Sequence, residues 1–258
     1  MPLFGAELSD IESRILENAK KNKAVFPDEI KQIEAGLTLI RNLTQITKEA
    51  SKEYPDKPNY STNHELFARN RQLLLNAYVS LLFSSYGTQF VILRTVLENN
   101  NLMRLFNKNP QYAFEWLPVN LQKRFTKQVQ LMYGKSGKHD RTYKASFVRK
   151  QVFDTVQKEK VREDIKKFYS QLCNYTHPNY AGWKEIVVQK EDSERLLNVP
   201  HFSLVESDTA TGVYLFMMQL TFKAYVETFK HYLAGFAIQL ITWQEKNREL
   251  LLRHMEKG

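Results

Sequence analysis

Between residues 27 and 46 the apolar positions Ile30, Ile33, Leu37, Ile40, Leu43 and Ile46 recur every three or four residues. That is the repeat of a helix burying one face. The same period runs through most of the chain, and only 9 Gly and 8 Pro punctuate 258 residues. A sheet protein of this size needs many more turn residues. The expected fold is all-α, a multi-helix bundle with at most one short β-hairpin near 184–205. A hydrophobic content of 43% supports a sizeable core, and the length approaches the upper limit for a single one. One helical domain over 1–258 is therefore expected.

Within it, 1–53 reads as an N-terminal helical segment. A first helix is capped by Ser9 or Asp10 and runs to about Lys23, and a second opens on Pro27. Residues 53–64, EYPDKPNYSTNH, read as a loop. Helical periodicity returns from about Glu65 to Asn107, with a break near Ser84–Gly87, and LLLNAYVSLLF within it is apolar nearly all round. Shorter helices fit 120–133, 146–159 and 161–175, the last stopped by Pro178. Residues 186–189 and 201–204 are the candidate hairpin strands. Ser207 or Asp208 then caps a long final helix, 207–255.

Familiar catalytic machinery is missing. GKSGK at Gly134 lacks the strand, spacing and following Ser/Thr of a phosphate loop, and no H-E-x-x-H or nucleophile elbow occurs. Cys173 is the only cysteine and the six histidines are scattered, so no disulfide, metal site or cofactor is expected. The start, MPLFGAELSDIESRI, has neither a basic region nor a long apolar run. The most apolar stretch, 213–243, carries Lys223, Glu227, Lys230 and His231, which a lipid-facing helix would not bury. A cytoplasmic protein without a membrane span is the expectation.

Two constellations could carry chemistry. Arg94 and Glu98 lie four residues apart among apolar neighbours, so they share a helix face and can pair. Such a pair either ties two helices together or positions a ligand. The second is YSQLCNYTHPNYAGW, where Tyr169 precedes His177 at a helix end. Its polar side chains could bind a phosphate or base, or form a rigid corner capped by His177.

Arg94-x-x-x-Glu98 on a central apolar helix, followed by Tyr169-x-x-x-Cys173-x-x-x-His177-Pro, resembles a family of uncharacterised bacterial helical proteins. That family's pattern is R-x-x-x-E then Y-x-x-x-S-x-x-x-H, with Cys173 standing here where Ser is usual. It is in turn similar to the HEPN group of helical domains, found in toxin–antitoxin and phage-defence systems and often RNases. The resemblance covers about 65–180 and implies Arg94, Glu98, Tyr169 and His177 as site residues. Catalytic HEPN domains carry Arg followed four to six residues later by His. The two formal matches here are Arg195 to His201, which contains Pro200, and Arg248 to His254, at the end of the last helix. The resemblance therefore implies first a binding or regulatory protein linked to RNA or bacterial defence. A metal-independent RNase using His177 or His254 is the alternative, and a purely structural or protein-interaction module is the third.

The net charge of +9 suits an RNA or an acidic protein partner. Basic residues crowd between 123 and 167, and Lys135, Lys138, Arg141 and Lys144 surround a flexible turn flanked by Tyr133, His139 and Tyr143. These four are the candidate nucleic-acid contacts, where bases could stack on the aromatic rings; a solvated basic face is the other reading. The final helix carries aromatic residues nearly all round, from Tyr214 to Trp243, which suggests a homodimer.

Overall fold

The computed structural model describes residues 3–117, 148, 167–170, 172 and 202–256. Seven α-helices are delimited there: α1 (Leu3–Val25), α2 (Pro27–Glu53), α3 (Pro58–Leu82), α4 (Tyr86–Lys108), α5 (Pro110–Trp116), α6 (Leu204–Phe229) and α7 (Ala237–Glu256). Residues 167–170 and 172 are also helical, and no strand occurs among the described residues. The all-α expectation holds. No helix of the described residues is long and apolar enough to cross a membrane.

Three helices open on proline, which has no N–H to leave unpaired in a first turn. Pro58 moves the start of α3 back into the expected loop, leaving only residues 54–57 as a connection. The hydrophobic repeat missed this turn because its inward-facing residues are polar. Asn59, Thr62 and Asn63 are buried, and Asn63 Nδ2 donates to Met103 O at 3.2 Å and Thr228 Oγ1 at 3.1 Å.

The break between α3 and α4 falls where expected, with Ser84 in the left-handed region at φ 59°. Asn22 of α1 holds this corner. Its Nδ2 donates to Leu81 O and Leu82 O at 3.2 Å and to Ser84 Oγ at 3.1 Å, capping carbonyls that α3 cannot satisfy itself. Ser207 of α6 completes the corner by donating to Asn22 Oδ1.

The final helix is two helices. Residues 230–232 form a 3-10 turn, and α7 folds back so that Leu240, Trp243 and Leu250 reach the core. The cap of α6 is Ser203, four residues before the expected Ser207, and its Oγ accepts from Glu206 N. Ser203-x-x-Glu206 is the capping-box spacing. The proposed second hairpin strand is therefore absent: Phe202 and Ser203 are in no strand and Leu204 opens a helix. Residues 184–201 lie outside the described residues.

One core joins the described helices. Ile33, Ile40 and Leu43 of α2, Phe67 and Leu74 of α3, Leu93 and Val96 of α4, and Tyr214, Phe222, Tyr225 and Phe229 of α6 are all fully buried. Each such apolar side chain contributes roughly 1.5–3 kcal/mol on burial. The chain itself thus covers most of the aromatic residues that suggested a homodimer, so they need no second copy. Conversely, LLLNAYVSLLF is not central all round: Leu75 and Val79 are 45% and 41% exposed.

Candidate functional site

On α4, Leu93, Val96 and Leu97 face the core, and Arg94 and Glu98 occupy the border of that face. Their side chains are 22% and 34% exposed, half-buried rather than central. Arg94 Nε donates to Glu98 Oε1 at 3.2 Å, one helical turn away.

The third member arrives from elsewhere in the chain. Tyr169 is buried in the core with Leu172 and Val148, and its neighbour Phe168 stands edge-on to Phe216 of α6 at 5.1 Å. The Tyr169 hydroxyl donates to Glu98 Oε1 at 2.8 Å and accepts from Arg94 Nη2 at 3.4 Å. The guanidinium carbon lies 5.6 Å from the centre of the Tyr169 ring, within cation–π range. Three of the four residues singled out in the sequence are therefore in mutual contact. His177 and Cys173 lie outside the described residues, as do Lys135, Lys138, Arg141 and Lys144.

The chemistry of the trio follows from its hydrogen bonds. Burial, and then the bond to Glu98, push the Tyr169 phenol up to about 12, against the opposing pull of Arg94. It is a neutral donor near neutral pH, not a base. Glu98 accepts from both partners, and the arginine and carboxylate charges cancel locally. The arrangement ties α4 to the helical turn that carries Tyr169, with the Arg94 side chain 22% exposed.

The Arg248–His254 motif does not assemble. Positions six residues apart on an α-helix point about a third of a turn away from one another, so Arg248 is exposed on α7 while the His254 side chain is 9% exposed. His254 sits between Asp208 Oδ1 at 3.2 Å and Glu29 Oε1 at 3.8 Å, and Gly212 lies against its ring. Its two ring nitrogens face carboxylates on opposite sides, which suits joining α2, α6 and α7 and does not suit attack on a substrate. No group of acidic, His or Cys side chains among the described residues could hold a metal.

Sequence reasoning gave no role to a cavity of about 400 Å3 lined by Lys57, Tyr60, Lys230 and His231, among others. Reading 53–64 as a loop and 207–255 as one helix concealed it, because both helix ends that build it were hidden. Comparison of the chain with protein-family models, curated proteins and solved structures finds no match.

Proposed function

We propose that the protein is a HEPN-like helical module that binds RNA in a regulatory or defence setting. The observation that carries the reading is that Arg94, Glu98 and Tyr169, three of the residues the resemblance implies, are hydrogen-bonded to one another. Its groups are matched to one another, which favours positioning and binding over proton transfer. The net charge of +9 supports a polyanionic partner. The buried setting of His254 counts against the RNase alternative in the form that uses it.

Fluorescence anisotropy with labelled single-stranded RNA tests this. Affinity should fall about 100-fold or more between roughly 50 and 200 mM salt, as phosphate contacts release counterions. Replacing Lys135, Lys138, Arg141 and Lys144 together by Ala should weaken binding more than about tenfold, without loss of helicity. Absence of binding at low salt overturns the reading. Cleavage that survives chelation and disappears in His177→Ala would replace it with the RNase.

A further inference from the structure

The first turn of α3, the last turns of α4 and α6, and the start of α5 surround the 400 Å3 cavity. That volume lies within the range of small-molecule sites. Lys57, Lys230 and His231 stand on its walls, and none of the three forms an ion pair among the described residues. The Lys57 ammonium is held in place, 4.5 Å from the centre of the Tyr54 ring and 5.7 Å from that of Tyr60. The one carboxylate on the wall, Glu227, is engaged by Arg104 Nε at 2.8 Å. The lining itself thus carries two lysines against one carboxylate already paired, while Glu53, outside it, accepts from the Tyr232 hydroxyl at 2.7 Å.

The helix ends at the cavity oppose one another: the first turn of α3 adds positive potential and the last turns of α4 and α6 add negative potential, so the anion preference rests on the lysines. Tyr60 is the aromatic side chain of the lining, and Tyr54 packs behind it with ring centres 5.2 Å apart. Inorganic phosphate would fill a small part of the space.

We infer that this cavity binds a phosphomonoester of nucleotide size, with Lys57, Lys230 and His231 on the phosphate and Tyr60 against the organic part. The ligand is either a free nucleotide or the phosphorylated end of an RNA strand. The inference does not depend on the Arg94 site or on the 123–167 basic stretch.

Calorimetric titration of the full chain with AMP, adenosine, inorganic phosphate and short RNAs bearing a 5′-phosphate or 5′-hydroxyl tests it. AMP should bind with a Kd below about 1 mM, and adenosine at least tenfold more weakly. Lys57→Gln with Lys230→Gln should weaken AMP about tenfold or more, while Lys31→Gln, at an exposed position on α2, should not. Circular dichroism verifies that the double variant is folded. A 5′-phosphate that strengthens RNA binding tenfold, with the gain lost in the double variant, identifies the strand end as the ligand. Equal binding of both RNAs alongside AMP binding identifies the free nucleotide. No AMP binding at about 5 mM, or equal affinity in the double variant and wild type, overturns the inference. General RNA affinity through the basic stretch is read separately, from the 5′-hydroxyl RNA.

Discussion

The Tyr169 hydroxyl donates to Glu98 Oε1 at 2.8 Å across 71 residues of sequence, the shortest of the three bonds in its network. Tyr169→Phe keeps the ring over Arg94 and removes the hydroxyl, and with it both this bond and the one it accepts from Arg94 Nη2 at 3.4 Å. Because Glu98 is partly exposed, water replaces some of the loss, and the expected destabilisation is about 1–2 kcal/mol. Urea unfolding of the two proteins measures it. A change below about 0.3 kcal/mol would show that the bond does not hold the segment in place.

Gly36 lies in the middle of α2, where glycine costs about 1 kcal/mol relative to alanine. A Cβ there would stand 2.8 Å from Trp243 Nε1 and would also collide with Met218 Cε. Met218 can swing aside. Trp243 cannot move as easily, because its Nε1 donates to Gln32 O at 2.9 Å and its carbonyl accepts from Gln32 Nε2 at 2.7 Å. Gly36→Ala should therefore destabilise by about 1–3 kcal/mol despite its better helix propensity. Thermal denaturation checks the sign.

Asn70 links the first two of the three asparagines that follow Glu98. It donates to Asn100 Oδ1 at 2.9 Å and accepts from Asn99 Nδ2 at 2.8 Å, while Asn100 Nδ2 donates to Thr221 Oγ1 at 3.0 Å. All four side chains are buried. Asn70→Leu would strand polar atoms on both asparagines at about 1–3 kcal/mol each. The expected outcome is a loss of at least about 2 kcal/mol in chemical denaturation, larger than for Tyr169→Phe.

His64 gives a pH dependence with a definite sign. Burial is the main cause lowering its pKa below the ordinary imidazole value, and its Nδ1 lies 2.7 Å from Thr47 Oγ1. As pH falls below about 6.5, the unfolded chain takes up a proton that folded His64 resists. The contribution of His64 is complete above that pH and is lost on acidification through its folded pKa. Stability profiles between pH 7 and pH 5 should slope less steeply in His64→Gln than in wild type.

The elements easiest to read from sequence were those whose inward faces are apolar, such as α2 with its isoleucines and Pro27. Polar residues facing inward escaped the same logic. Asn59 and Asn63 looked like loop residues, although Asn63 reaches Met103 and Thr228 across the core. Ser203 and Glu206 carried a readable cap signal, but the segment before it read as a strand. The aromatic wealth of 214–243 was visible, whereas the turn at 230–236 that folds α7 over it was not. Arg94 and Glu98 were legible as a helical pair. Their contact with Tyr169 followed only from the resemblance, since no periodicity links residues so distant.

Among the described side chains of α1, the fully buried ones are Asn18 and Asn22. Asn22 grips the carbonyls at the α3–α4 corner, and Leu16 and Val25 remain exposed. Over residues 11–25 the helix is thus seated more by the hydrogen bonds of Asn18 and Asn22 than by buried apolar side chains. Release of that stretch would uncover little nonpolar surface, so denaturant would accelerate it only weakly. Such an opening belongs to the sub-global motions that amide exchange detects at denaturant concentrations far below the unfolding midpoint. The amides of residues 11–25 should therefore exchange ahead of those of the helices beneath them.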